Sequence, residues 1–164
     1  MEIAVYSKQY EQAVIDLILD IQQNEFRVPV TIHDQPDLLN VEGFYCRDSG
    51  NFWIATDKGQ LVGTIALIDI GNHQSALRKM FVRKDYRGKE KGLGQVLLDH
   101  VLNWCQEKNI CEIYLGTFDK LAAARRFYLK NGFVEIAAET LPGNFPRMNV
   151  DNMFFKYSFV QQQS

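Results

Sequence analysis

The 164-residue sequence has few cysteines, and they are spaced in a way that excludes two classes of protein. Cys46, Cys105 and Cys111 are odd in number and form no CxxC pair, which argues against a disulfide framework and a zinc site. No motif sets a histidine base beside any of them, so a catalytic cysteine is disfavoured as well. We expect free thiols in a reducing compartment.

Net charge and long apolar runs are also scarce. A formal net charge of -2 argues against a general nucleic-acid or membrane-surface binder. No apolar run reaches the length of a membrane span, and the N-terminus lacks a signal-type apolar segment. The three histidines have no metal-ligand spacing. The sequence therefore predicts a soluble cytoplasmic protein with no metal, and it leaves a monomer and a homodimer both open.

Hydrophobic residues make up 46% of the chain, enough for one domain with one core over residues 1–164, apart from a frayed tail of about four residues. Apolar periodicity predicts the element order βααβββαβαββ, an α/β fold with a mixed sheet. The strands are predicted at 2–6, 51–57, 60–70, 75–83, 111–118, 133–139 and 148–159. The helices are predicted after an N-cap at Ser7, at 37–44, from the glycine-rich loop to about Asn109, and at 120–131.

The glycine-rich loop lies in "YRGKEKGLGQVLLDH", Tyr86 to His100. A strand that enters such a turn before a helix builds an anion site, because the first helical N–H groups have no partner within the helix. Arg87, Lys89 and Lys91 add full positive charges. A phosphate or diphosphate is the expected ligand, with a solvated surface turn as the alternative.

Two common phosphate-binding motifs fail in this loop. The dinucleotide motif GxGxxG would need a third glycine where Leu97 stands. The P-loop motif fails because Leu93 stands five residues after Gly88. A nucleotide-binding protein of either type is therefore disfavoured.

Three segments together resemble the GNAT superfamily of N-acetyltransferases. They are "LRKMFVRKDYRGKEKGLGQVLL", which is similar to its [QR]xxGx[GA] loop and helix, "AARRFYLKNGFVEI", and the hairpin "GQLVGTIAL". The predicted element order also matches that fold. The resemblance implies a twisted mixed sheet of about seven strands with a splayed middle pair, about four flanking helices, and acetyl-CoA as the cosubstrate.

The resemblance also implies site residues. Backbone groups of Met80, Phe81 and Val82 would bind the pantetheine arm, and the amide of Phe81 or Val82 would polarise the thioester carbonyl. Tyr128 would be the general acid and would contact the cofactor, although a core aromatic is its alternative role. The cofactor loop would comprise Arg87, Gly88, Lys89, Lys91, Gly92, Leu93, Gly94 and Gln95.

The loop departs from the usual family pattern. Arg87-Gly88 and Gly92-Leu93-Gly94 are separated by two residues more than usual. Aligning the last glycines puts Lys89 at the [QR] position and leaves Arg87 outside the strict motif. Leu121 replaces a common asparagine, which removes one expected polar contact.

The acceptor site is less constrained by the sequence. Glu25 and Asp151 would suit an amine, whereas Arg27 and Arg147 would suit a carboxylate. A small amine, an amino acid or a peptide N-terminus fits that mixture. The general base is a water relay or one of Glu25, Asp69, His73, Glu112, Asp119 and Asp151. The rival function is a catalytically silent acyl-CoA-binding or regulatory domain on the same fold.

Overall fold

The computed structural model describes residues 1–88 and 92–159, and its elements follow the predicted order. The strands are β1 (Glu2–Val5), β2 (Asn51–Asp57), β3 (Gln60–Gly71), β4 (Gln74–Val82), β5 (Glu112–Thr117), β6 (Val134–Ile136) and β7 (Met153–Ser158). The helices are α1 (Glu11–Leu19), α2 (Val41–Tyr45), α3 (Leu93–Glu107) and α4 (Ala122–Lys130). No helix in the described ranges is long and apolar enough to cross a membrane.

All seven strands form one mixed sheet in the order β1-β2-β3-β4-β5-β7-β6. Only β4 and β5 are parallel, and every other neighbouring pair is antiparallel. The reason is connectivity, because a parallel pair needs a crossover and α3 provides it between these two strands. The predicted fold class is confirmed.

Helices cover both faces of the sheet. On one face, α3 and α4 bury a large core that includes Leu97, Val101 and Phe133. On the opposite face, α1 and α2 cover a second cluster around Ile18 and Phe52. A third cluster lies on this same face beside β5 and β7, and it shares Ile68 with the second.

Two predicted boundaries are wrong near the C-terminus. The strand predicted at 133–139 ends at Ile136, and the one predicted at 148–159 starts only at Met153. Asp151 therefore precedes β7 and is not inside it. Its N–H donates to the Met148 carbonyl at 3.1 Å, a turn that ends any extended pairing there.

The start of the first helix also differs from the prediction. Ser7 caps a short 3₁₀ segment, Lys8–Tyr10, without a side-chain hydrogen bond, and α1 begins after it. The C-terminal end of α1 continues as a π-helical segment, Asp20–Glu25. The chain folds back onto this segment, since the Val28 N–H donates to the Gln22 carbonyl at 2.8 Å.

Gly50 is required by close packing between α2 and β2. An ideal Cβ there would lie 2.4 Å from the Tyr45 carbonyl oxygen and 2.8 Å from that of Leu67. Both are backbone atoms, so Gly50→Ala should lower the free energy of unfolding by about 2 kcal/mol. Urea unfolding measures the change. Gly143→Ala is the control, because its added methyl meets nothing within 4 Å, and equal losses in the two variants would contradict the packing argument.

Candidate active site

A gap opens between β4 and β5. Their parallel pairing comprises only Gln74↔Glu112, Ser75↔Ile113 and Ala76↔Tyr114. Beyond these pairs β4 continues to Val82, while β5 stays paired with β7 as far as Thr117. The two strands thus diverge towards their C-terminal ends, which confirms the splayed middle pair. We call this opening the wedge.

A β-bulge in β4 lies just beyond the start of the wedge. Ala66 pairs with Arg78 and Thr64 with Phe81, so β4 contains one extra residue between these pairs. Lys79 lies in the bulge with a left-handed φ of 54°, which is uncommon for a side chain of this kind. The Thr64 hydroxyl donates to the Lys79 carbonyl at 2.6 Å and holds the bulge to β3.

The Lys79 side chain is buried against the segment that precedes α2, with the residue only 6% exposed. Its Nζ donates to Gln35 Oε1 at 2.5 Å and lies 3.6 Å from Asp37 Oδ2. Asp37 also accepts a 2.5 Å hydrogen bond from the Tyr45 hydroxyl, and the Gln22 and Gln35 side-chain amides bond each other reciprocally. We call these five residues the Lys79 network. Sequence reasoning missed it, although a lysine amid the apolar residues of "ALRKMFV" was a signal.

The N-terminus of α3 lies beside the wedge. Gly92 is its N-cap with φ 57°, and the first helical hydrogen bond runs from the Val96 N–H to the Gly92 carbonyl at 3.2 Å. The amides of residues 93–95 therefore have no carbonyl within the helix to bond. The Gly92 N–H is used inside the loop, donating to the Gly88 carbonyl at 2.8 Å. The predicted contacts of Lys89 and Lys91 lie outside the described residues.

Arg87 and Glu25, predicted to bind different ligands, bind each other. The Arg87 guanidinium forms a two-point ion pair with the Glu25 carboxylate, with Nη2 2.8 Å from Oε1. The same side chain donates from Nε to the Val82 carbonyl at 2.7 Å. Arg87 thus joins the π-helical segment to the end of β4. Arg27, the other predicted substrate residue nearby, is exposed.

The backbone N–H of Val82 is directed into the wedge. The Arg83 N–H donates to the Val62 carbonyl of β3 at 2.9 Å. Because successive backbone groups of a strand point in opposite directions, the Phe81 N–H faces β3 and the Val82 N–H faces away from it. The Val82 carbonyl follows the same rule, since it reaches Arg87 and not β3. Of the two predicted oxyanion donors, the geometry favours Val82.

Tyr128 is buried against β4 from the α4 side. Its hydroxyl donates to the Met80 sulfur at 3.5 Å, and burial raises its pKa well above the usual range. Gly94 approaches the same methionine, since an ideal Cβ on it would lie 3.6 Å from Met80 Cε and 3.8 Å from the Phe127 ring. The start of α3, the middle of α4 and the bulged strand thus meet around Met80.

Asp151 lies at the wedge on the opposite face of the sheet. Its carboxylate packs onto Gly116 so closely that a Cβ there would come within 2.5 Å of Oδ2. The Met148 N–H donates to Oδ2 at 3.3 Å. Burial raises the pKa of Asp151, and the charges of Arg78 and Arg147 partly counteract that rise.

The remaining candidate bases are engaged elsewhere. Asp69 accepts backbone N–H groups at 3.0 and 2.8 Å, and His73 lies in an exposed turn 3.2 Å from a backbone carbonyl. Glu112 lies 2.7 Å from Lys156 Nζ, and that hydrogen bond lowers its pKa. Asp119 is exposed just past β5. Among the candidate bases, Asp151 is therefore the carboxylate whose position best suits a base at the wedge.

The unpaired edge of β4 beside a helix start with free amides can receive an extended ligand that carries an anionic group, and the comparison with known proteins identifies the family. The sequence model of the Acetyltransferase (GNAT) family matches residues 15–133, well over half of the chain. The chain belongs to the GNAT family of acetyltransferases.

Individual relatives support this assignment. The chain is 31% identical over 134 residues to N-acetylaspartate synthetase of Danio rerio, covering 77% of this chain but only 46% of that protein. A GNAT-family acetyltransferase from Staphylococcus aureus Mu50 superposes with a TM-score of 0.93 and 46% identity, covering 96% of this chain and 98% of the other. The PaiA N-acetyltransferase of Thermoplasma acidophilum, solved with coenzyme A, shares the fold at a TM-score of 0.73 and 17% identity, with coverage of 96% and 98%.

The buried amine of Lys79 should make the free energy of unfolding depend on pH. Burial lowers the pKa of Lys79 to about 8, although Asp37 opposes this shift. An unfolded lysine stays protonated at higher pH, so the unfolded chain binds more protons above pH 8 and native stability rises with pH. Relative to that of Lys79→Met, the free energy of unfolding of the parent should rise by about 2 kcal/mol between pH 8 and pH 10.

Urea unfolding at pH 8, 9 and 10 tests this difference. The fixed cost of the substitution cancels, because only the change with pH is compared. Lys8→Met, at an exposed lysine, is the control and should run parallel to the parent. Parallel curves for Lys79→Met as well would contradict the assigned pKa of the buried amine.

Proposed function

We propose that the protein is an acetyl-CoA-dependent N-acetyltransferase that moves an acetyl group directly to a primary amine. The observation that carries this is the unpaired edge of β4 beside the uncapped start of α3, within a GNAT-family chain. A relative named N-acetylaspartate synthetase and a fold neighbour solved with coenzyme A support the reaction type and the cosubstrate. The acceptor is a small amine, an amino acid or a peptide N-terminus.

The diphosphate of acetyl-CoA would bind at the start of α3. The amides of Leu93, Gly94 and Gln95 precede the first helical hydrogen bond, and the helix dipole adds partial positive charge there. Gly88 and Gly92 shape the turn with left-handed φ angles of 89° and 57°. We assign Lys89 and Lys91 to the same anion by sequence. Arg87 would reach a phosphate only by leaving Glu25.

The pantetheine arm would lie along β4 in the wedge. The free edge of a strand offers alternating N–H and carbonyl groups to an amide-containing chain. Met80 and Val82 lie on that part of the strand, with Phe81 between them. The Val82 N–H, directed away from β3, would donate to the thioester oxygen as negative charge develops on it.

The reaction needs no covalent enzyme intermediate. An acceptor ammonium first loses one proton to solvent, and the free amine then attacks the thioester carbon. The C–N bond forms, the C–S bond breaks, and the second amine proton leaves through Asp151 or water. The products are the N-acetyl amide, coenzyme A as thiol and one released proton. The protein supplies position, one N–H donor and proton management.

Tyr128 would serve the leaving thiolate. Because burial raises its pKa, the hydroxyl keeps its proton at physiological pH and is always available as a donor. An ordinary thiol has a pKa of about 8.5, so complete transfer from this phenol would be uphill. Tyr128 would therefore stabilise the departing thiolate by a hydrogen bond. It would transfer its own proton only if another donor reprotonated the phenolate at the same time.

Acetyl-CoA binding is the first expected outcome. Isothermal titration should show one site, and Gly92→Val should weaken it because a β-branched residue is strained at the left-handed N-cap. Gly143→Ala, at an open surface position, should bind as the parent does. No heat of binding at millimolar acetyl-CoA would overturn the proposed function.

Tyr128→Phe should reduce kcat roughly 100-fold with little change in CoA affinity, because only the hydroxyl is lost. Free-thiol release with an amine panel measures the rate. Tyr157→Phe is the matched control, since that ring packs on Phe133 at 5.3 Å. If both variants keep the parent rate, Tyr128 is a packing residue only.

A further inference from the structure

Two charged groups flank the wedge on the face covered by α1 and α2. The last β4–β5 pair is Ala76↔Tyr114, and both side chains lie in the same apolar cluster on this face. Two residues further along each strand come Arg78 and Gly116, which face the same way because side chains alternate. The Asp151 carboxylate covers Gly116. Arg78 and Asp151 thus lie on opposite sides of the opening.

Neither group forms an ion pair in the described part of the chain. Among the ion pairs of residues 1–88 and 92–159, none includes Arg78, Arg147 or Asp151. Arg78 makes one long hydrogen bond, from Nη1 to the Pro146 carbonyl at 3.4 Å. Asp151 accepts only the Met148 N–H at 3.3 Å. Both are partly buried, so each forgoes hydration without a full set of partners.

The other charged side chains near the opening are paired or lie at its rim. Lys79 pairs with Asp37, in the segment before α2, at 3.6 Å. Arg147 is exposed at the rim, with its guanidinium 4.8 Å from the centre of the Phe154 ring. The opening therefore presents two arginines against one carboxylate, a surplus of one positive charge.

This arrangement selects the chemistry of a ligand. A guanidinium presents a fork of N–H donors that matches a carboxylate at two points. A carboxylate such as Asp151 suits an ammonium or an amine N–H across the opening. A small ligand that carries a carboxylate and an amine binds Arg78 and Asp151 at once. An amine without a carboxylate leaves Arg78 without a partner.

We propose that the acceptor is an amino acid with a free carboxylate, which Arg78 binds while Asp151 faces the amine to be acetylated. Arg147 closes the rim of this acceptor site. The inference rests on the proposed function and deepens it, because it names the acceptor class. It also explains why the wedge is charged on this face and apolar around Met80 on the other.

Matched acceptors test the proposal. The common amino acids, their primary amides and the corresponding amines without a carboxylate are compared by free-thiol release from acetyl-CoA. Charge-assisted hydrogen bonds predict that free acids exceed their amides in kcat/KM by roughly 10-fold or more. Arg78→Gln should remove this preference by raising the KM of free acids and leaving that of amides unchanged.

Two further variants keep the result interpretable. Arg78→Lys retains the charge without the two-point fork, so it should keep only part of the preference. Arg47→Gln, at an exposed arginine in the turn after α2, should keep the parent preference. Acetyl-CoA affinity and circular dichroism of all variants show that the fold is intact.

The outcomes separate this inference from the proposed function. Equal kcat/KM for acids and amides in the parent, or equal losses for both in Arg78→Gln, would overturn the carboxylate site while transfer to amines stands. Titration of the acceptors in the presence of coenzyme A gives a readout without turnover. Selective binding of free acids that Arg78→Gln abolishes would support the site even if no acetyl transfer occurred, and it is the proposed function that would then fail.

Discussion

The pairing between β4 and β5 ends early, and the geometry of the candidate site follows from that. A parallel pair is held by evenly spaced hydrogen bonds, and here they stop after Ala76 and Tyr114. The edge of β4 beyond that point has backbone groups that face no neighbouring strand. Unpaired backbone groups are costly to bury without a partner, so this edge is suited to a ligand with amides of its own.

The bulge at Lys79 gives the free edge its shape. An extra residue bends a strand and re-aims the groups that follow it, which here are Met80 and Val82. The left-handed conformation of Lys79 is maintained by Thr64 on its carbonyl and by the Lys79 network on its amine. Burial of the amine costs free energy of desolvation. The hydrogen bonds of the network offset part of that cost and hold the strand in one geometry. The bulge thus separates Arg78, on the face of the proposed acceptor, from Met80 and Val82, on the strand segment of the proposed cofactor site.

Much of the fold could be predicted from the sequence, because local patterns specify it. The period of apolar residues defined the elements, and Gly132 follows the C-cap of α4 with a positive φ of 90°, as glycines after helices commonly do. The glycine-rich loop and the "RRFYLKNGF" segment predicted which helices lie beside the site. Short-range rules of this kind need no knowledge of distant contacts.

The parts that could not be predicted depend on residues far apart in the chain. Arg87 binds Glu25 across 62 positions, and no local pattern reports that pairing. Asp151 reaches Gly116 only because β7 pairs with β5, and the position of Arg78 opposite it follows from the register between β4 and β5. The amine of Lys79 in the bulge binds Gln35 and Asp37, which lie more than 40 positions earlier in the chain, in the segment before α2. Tertiary packing, and not propensity, decides each of these features.

Binding of acetyl-CoA in the wedge between β4 and β5 can be measured by backbone amide NMR during a titration. The amides of Val82 and of residues 93–95 should shift most, while those of Ile3 and Ala55 on the far strands stay unchanged. Large shifts confined to α1 or to the β1–β2 edge, with Val82 and the start of α3 unaffected, would contradict binding in the wedge.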